Sequence, residues 1–136
     1  MSAVFVYIET FNGQPLPTSW EALGAGKQLA AKSGGALTTI VFGDNAQAGA
    51  EEAGPHGAAQ AIICDDATLK HYRLEPYAAL LSKLVSEHKP SAVLAIASSI
   101  GRELLAAAAA DTDSGLLGDV VSFEAQADGS LNAVRA

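Results

Sequence analysis

The sequence predicts an α/β domain with a mostly parallel sheet and an antiparallel hairpin at its C-terminal end. Four short apolar runs alternate with longer segments in which apolar residues recur at helical spacing. The runs are almost continuously apolar, which is typical of parallel strands that helices cover on both faces. Only the C-terminal stretch alternates between apolar and polar residues, as the strands of a half-exposed hairpin do.

The apolar runs predict the strands of the parallel sheet. The second run ends at Gly43-Asp44-Asn45 and the third at Asp65-Asp66, both of which are typical of turns. In the C-terminal hairpin, Asp128-Gly129 is the expected turn. The predicted parallel strands span residues 4–8, 37–42, 61–64 and 92–97, and the hairpin strands span residues 119–127 and 131–135.

Helices are predicted between the strands and after the fourth of them. Thr18 and Glu21 stand three residues apart, the spacing of a capping box, and Gly34-Gly35 marks the end of that helix. Gly24 and Gly26 lie inside it, and we expect them to permit a close approach to the sheet. The predicted helices span residues 18–33, 46–53, 74–88 and about 102–110.

Length and charge bound the class of protein. A chain of 136 residues is one domain that can bury a core. The net charge of −7 and the scattered basic residues argue against binding to nucleic acid or to an anionic membrane.

Cys64 is the only cysteine, so we expect a buried thiol in a reducing compartment and no internal disulfide. No signal-peptide pattern precedes the first strand and no apolar run has membrane length. We therefore expect a cytoplasmic protein.

The most informative stretch of the chain is the predicted turn between the fourth strand and the fourth helix. Such a turn places backbone N–H groups at the edge of the sheet where α/β proteins bind ligands. Ser98, Ser99, Gly101 and Arg102 are therefore the candidate residues of an anion or nucleotide site. The alternative is a tight turn with a serine cap, with Glu103 in the first turn of the helix.

Other motifs fit catalysis or metal binding poorly. The segment Gly24 to Lys27 lacks the remaining residues of a phosphate loop and lies within a helical pattern. Cys64, Asp65, Asp66 and His71 match no known ligand spacing, so no metal site is predicted. Glu9 and Glu103 could both lie at the carboxyl edge of the sheet, but the sequence does not show that they converge, and no catalytic residue is predicted.

A series of short motifs runs the whole length of the chain. They are Ile8-Glu9, the helical segment 19–29, the segment 58–66, His71-Tyr72, Glu75-Pro76-Tyr77-Ala78, Lys89-Pro90, and the segments 98–104 and 115–120. In this order and spacing the chain resembles the N-terminal domain of the electron transfer flavoprotein α-subunit.

The resemblance implies a three-layer α/β/α, Rossmann-like domain of the adenine nucleotide hydrolase-like type over residues 1–136. It implies a heterodimer with an electron transfer flavoprotein β-subunit and an FAD-dependent electron carrier rather than an enzyme. In that family the flavin lies mainly in a separate C-terminal domain, which we expect to be absent here. We therefore expect FAD in the full heterodimer and none bound tightly to this chain alone, which could also associate with itself.

Two alternatives remain open from the sequence. One is a stand-alone nucleotide-binding module similar to the universal stress proteins, whose phosphate motif Gly115, Gly118, Gly129 and Ser130 approach without matching its spacing. The other is a non-catalytic interaction domain, which the lack of catalytic groups permits.

Overall fold

The computed structural model describes residues 3–11, 13–112, 120–125 and 131–135. These residues form a four-stranded sheet, two short two-stranded hairpins and four α-helices. The strands are β1 (Val4–Tyr7), β2 (Thr10–Phe11), β3 (Gln14–Pro15), β4 (Leu37–Gly43), β5 (Gln60–Asp65), β6 (Ala92–Leu94), β7 (Val120–Ala125) and β8 (Leu131–Arg135). The helices are α1 (Ser19–Ser33), α2 (Ala46–Ala53), α3 (Leu74–His88) and α4 (Ser99–Asp111), with 3-10 turns at Gly54–His56 and Ala67–Leu69.

The order of the main sheet is β5-β4-β1-β6. Strand β1 pairs in parallel with β4 on one side and with β6 on the other, and β4 pairs in parallel with β5. The chain thus builds outward from β1 to β5 and then crosses to the opposite side of β1. Open α/β sheets bind their ligands at such a switch point, outside the carboxyl ends of the strands. The crevice between the ends of β1 and β6 is therefore the expected ligand position of this sheet.

Alternate residues of β1 point to opposite faces of the sheet and belong to two separate cores. Val4, Val6 and Ile8 pack with buried side chains of α1 and α2. Phe5 and Tyr7 pack with buried side chains of α3 and α4. Helices therefore cover both faces, and the predicted three-layer α/β/α architecture is confirmed.

Helix α1 begins at the predicted place but without the predicted capping box. Thr18 has helical dihedral angles (φ −63°, ψ −20°) and its side chain makes no capping hydrogen bond. The next residue, Ser19, makes the hydrogen bond at this helix entry instead. Ser19 is fully buried, and its hydroxyl accepts the backbone N–H of Glu9 at 3.1 Å. The prediction of a capping box is wrong, because the contact of Ser19 with the end of β1 determines where the chain enters the helix. Gly34 ends α1 in the left-handed conformation with φ 76°, as predicted.

The bounds of α2 and α3 match their predicted ranges, whereas the β6–α4 junction does not. Strand β6 ends at Leu94 because its pairing with β1 ends there, opposite Val6. Helix α4 begins at Ser99 rather than at about residue 102, since Ser98 is extended (φ −78°, ψ 169°) and caps the helix with its side chain.

One of the two hairpins was predicted. Strands β7 and β8 pair antiparallel, with an irregularity between Val120 and Ser122. The expected Asp128-Gly129 turn lies outside the described residues, as do Gly115, Gly118 and Ser130 of the phosphate motif considered above. The β2–β3 hairpin, which follows β1 directly, was not predicted, although the dipeptide Asn12-Gly13 is a strong hairpin signal in a sequence.

Candidate functional site

The turn at residues 98–102 lies at the switch point of the sheet. It follows β6 at the carboxyl end and opens α4, while Glu9 follows the neighbouring strand β1. Ser98 and Gly101 are at least partly buried in the turn, whereas Ser99 and Arg102 are exposed. The structure thus places the four predicted site residues on one turn and divides them between an inner and an outer side.

The inner side of the turn is a closely packed helix cap. The Ser98 hydroxyl accepts the backbone N–H of Gly101 at 2.9 Å. A Cβ atom on Gly101 would lie only 2.1 Å from the carbonyl oxygen of Ile96, so no larger residue fits there without a shift of the backbone. Gly101 is therefore required by the close approach of α4 to the end of β6.

A buried carboxylate from the neighbouring strand meets this cap. The Ser98 hydroxyl donates to Oε1 of Glu9 at 2.5 Å, and Glu9 is only 6% exposed. The backbone of Glu9 is also fixed, since its N–H donates to Ser19 and its carbonyl accepts the N–H of Leu16 at 2.8 Å. Glu9 therefore ties the end of β1 to the entries of both α1 and α4.

A second carboxylate of the same region binds a tyrosine. The Tyr72 hydroxyl donates to Oε1 of Glu103 at 2.8 Å, and burial together with this hydrogen bond raises the pKa of Tyr72. The Tyr72 ring lies edge-on to that of Tyr77, with ring centres 5.0 Å apart. Glu9 and Glu103 thus lie at the same edge of the sheet, but each carboxylate accepts from a different hydroxyl. This arrangement fixes loops and helix ends, and it assigns neither carboxylate to proton transfer.

The two aspartates considered as metal ligands accept hydrogen bonds from nearby loop residues. Asp66 accepts the backbone N–H and the hydroxyl of Thr68, at 2.9 and 2.8 Å, and Asp65 accepts the N–H of Asn45 at 2.8 Å. Burial raises the pKa of the Cys64 thiol, which is only half-buried rather than fully buried as predicted. Across the described ranges, no group of three histidine, cysteine or acidic residues could hold a metal ion.

Two cavities lie away from the switch point. One, of about 590 Å³, runs along α3 beside Cys64, Asp65, Asp66 and Lys83. The other, of about 240 Å³, lies between α3, α4 and the start of β6. Neither of these two cavities is lined by Ser98, Gly101 or Arg102.

None of the helices in the described part of the chain is long and apolar enough to cross a membrane.

Comparison with known proteins identifies the family. The family described as electron transfer flavoprotein domain matches residues 4–136. The chain is 38% identical over 135 residues to Protein FixB of Azorhizobium caulinodans. The matched region covers 97% of this chain and 37% of that protein. It is 35% identical over 121 residues to the acryloyl-CoA reductase electron transfer subunit beta of Anaerotignum propionicum (89% of this chain, 33% of that protein). It is 34% identical over 121 residues to the electron transfer flavoprotein subunit alpha of Clostridium acetobutylicum (89% of this chain, 36% of that protein).

The chain spans about a third of the length of these relatives, 33–37% in the three cases. The family match at residues 4–136 spans β1 to β8. By the family match over nearly its whole length and by these relatives, the chain belongs to the electron transfer flavoprotein domain family.

Proposed function

We propose that this chain is the N-terminal scaffold and interface domain of an electron transfer flavoprotein α-subunit. As such it is one arm of a heterodimeric, FAD-dependent carrier that passes electrons from dehydrogenases to an acceptor. The observation that carries the proposal is the match of almost the whole chain to one third of proteins whose names include electron transfer subunits. The two acidic side chains at the switch point fix structure rather than face each other as a catalytic pair, which supports a carrier over an enzyme.

The α-type of the subunit rests on the motifs of this chain. The relatives include one named subunit alpha and one named subunit beta. The segment Glu75-Pro76-Tyr77 lies in the first turn of α3, and Gly101 to Leu104 lies in the first turns of α4. The resemblance to the α-subunit rests on the order and spacing of these and the other motifs together. Co-purification separates the possibilities, since an α-type chain is expected to retain an added β-subunit and not a second α-subunit.

The described residues do not fit FAD. The larger cavity is open and lined by Asp65 and Asp66, whose carboxylates would repel the pyrophosphate. At the switch point the buried Glu9 carboxylate lies against the helix entry at which a pyrophosphate would otherwise bind. We therefore expect no tight flavin binding by this chain alone.

A desalting experiment tests that expectation. The purified chain is mixed with FAD, passed over a desalting column and assayed for flavin fluorescence in the protein fraction. Little or no flavin should elute with the chain. A stoichiometric yellow protein would contradict both the assignment of the flavin to another domain and the proposed role of this one.

The proposed interface includes the C-terminal hairpin of β7 and β8. Hairpin strands present unpaired backbone groups along their outer edges, and a partner strand or loop can cover them. Hydrogen exchange of residues 120–134 should therefore slow when the cognate β-subunit is added. The segment Leu37–Gly43, which is buried at the centre of the fold, is the internal control and should not change. Equal exchange of residues 120–134 with and without the partner would exclude the hairpin from the interface.

We also propose that Ser98, Ser99, Gly101 and Arg102 form an anion-binding turn. The support is the Ser98 cap, the close packing of Gly101 and the position at the start of a helix of 13 residues. The nucleotide-binding alternative would also use this turn.

A further inference from the structure

Glu9 is an unusual residue for its position. It is the only charged residue that is buried among those whose burial the structure describes. A carboxylate in a protein interior loses its hydration, so it must be compensated by hydrogen bonds or by positive charge. The compensation at this position comes from the turn that was predicted to bind an external anion.

A single hydroxyl connects the carboxylate to the helix. The Ser98 hydroxyl donates to Glu9 at 2.5 Å and accepts the Gly101 N–H at 2.9 Å, so its proton is directed towards the carboxylate. Polarised by the first turn of α4, Ser98 is a better donor, and hydrogen bonds to an ionised acceptor are the strong ones. The Glu9 carboxylate therefore lies at the start of α4 as a bound anion would, except that the Ser98 hydroxyl stands between it and the backbone N–H.

We propose that the anion held by this turn is the chain's own Glu9 carboxylate, which fills the crevice between β1 and α4 and excludes an external phosphate. The crevice is thus closed, and the contact between Glu9 and Ser98 connects the end of β1 to the β6–α4 turn. This inference does not depend on the electron-carrier function, because it concerns only contacts within the chain.

Chemical rescue tests the proposal directly. Glu9→Ala removes the Cγ methylene and the carboxylate and leaves a space beside Ser98 that is large enough for formate. The variant should unfold at a lower temperature than the wild type, by roughly 4–10 °C. Sodium formate should restore at least half of the lost Tm, whereas sodium chloride at the same concentration should not. Glu52→Ala on the exposed end of α2 is the matched control, since it removes the same charge and should show neither the loss nor the rescue.

Glu9→Gln keeps the test decisive if Glu9→Ala does not fold. Glu9→Gln retains the volume of the side chain, so it should lose stability without any rescue by formate. Ser98→Ala in the Glu9→Ala background removes the bridging hydroxyl and should abolish the rescue. A Glu9→Gln variant as stable as the wild type would overturn the proposal, because the charge would then contribute nothing.

Titration with AMP tests the alternative, in which the turn binds an external nucleotide. Calorimetric titration of the wild-type chain with AMP should give no heat of binding, because the crevice is filled. Tight binding by the wild type that is lost in Arg102→Ala would overturn the proposal and favour a nucleotide-binding module. Formate that raises the Tm of Glu9→Ala no more than chloride does would likewise overturn it.

Discussion

Gly26 of α1 lies directly against Val6 of β1. A Cβ atom built on Gly26 would come within 2.5 Å of Cγ2 of Val6 and 3.1 Å of Leu37. The close approach of helix and sheet that the sequence predicted for the two α1 glycines is therefore confirmed at this position. At Gly24 it is wrong, because a Cβ atom there would meet nothing within 4 Å.

This difference predicts opposite effects of the same substitution at two positions only two residues apart, on opposite sides of α1. Gly24→Ala should raise the free energy of unfolding by about 0.5–1 kcal/mol, because alanine loses less backbone entropy in a helix. Gly26→Ala should lower it by about 1–3 kcal/mol, because the added methyl group forces helix and strand apart. Urea unfolding followed by circular dichroism measures both, and two changes of the same sign would contradict the prediction.

Ser19 and Thr18 form a second matched pair at the start of α1. Ser19→Ala leaves the backbone N–H of Glu9 buried without its acceptor, and we expect a loss of about 1–3 kcal/mol. Thr18→Ala should change stability by less than about 0.5 kcal/mol, since the Thr18 side chain makes no capping bond. The denaturation midpoints of the two variants give the comparison. A large loss for Thr18→Ala would restore the capping box that the structure does not show.

Tyr7 predicts how the fold responds to alkaline pH. Its side chain is buried, and this burial, with smaller contributions from Tyr77, Glu9 and Tyr72, raises the pKa of its hydroxyl. The folded state therefore holds the phenolic proton more tightly than the unfolded chain does. The stability that this group contributes is complete below the ordinary tyrosine pKa of about 10 and is lost as the pH rises above it.

Tyr7→Phe removes that titration. Between about pH 9 and pH 11 the free energy of unfolding of the variant should fall less steeply than that of the wild type. At pH 7 the two proteins provide the reference, because the hydroxyl is protonated in both the folded and unfolded states there. Equal slopes at alkaline pH would show that Tyr7 does not carry this dependence.

The sole tryptophan reports on a ring contact. Trp20 stacks on His56 with ring centres 4.2 Å apart and planes 9° apart, so the imidazole covers one face of the indole. His56→Ala should expose that face and shift the fluorescence emission of Trp20 to longer wavelength. His88→Ala is the control, since His88 lies edge-on to Phe5 instead. Identical emission spectra of wild type and His56→Ala would contradict the stacking.

Local patterns were sufficient to predict most of the fold. The apolar runs and helical spacings placed the four parallel strands and all four helices, because each of these signals is contained in a short window of sequence. The β2–β3 hairpin was missed although Asn12-Gly13 marks it, since the strands on either side have only two residues each. The end of β6 was also misplaced, because it depends on where β1 stops pairing rather than on local composition.

The candidate site was predicted only in its local part. The Ser98 cap and the Gly101 turn follow from neighbouring residues, and the sequence places them at the edge of the sheet. The partner of Ser98 is Glu9, which is 89 positions away in the chain. The Tyr72 partner of Glu103 is 31 positions away. No periodicity relates such distant residues, so only the folded chain shows which carboxylate meets which hydroxyl.

The order of the elements along the chain determines which layer of the domain can fold first during synthesis. Helices α1 and α2 precede the end of β5 at Asp65, whereas α3 and α4 follow it and end only at Asp111. A nascent chain that has emerged through β5 can complete one helix layer, while Phe5, Ile40 and Phe42 on the opposite face still lack their cover. The half-made domain therefore presents an apolar sheet surface to the ribosome exit. Until α4 has been made, that surface is open to chaperones and to aggregation.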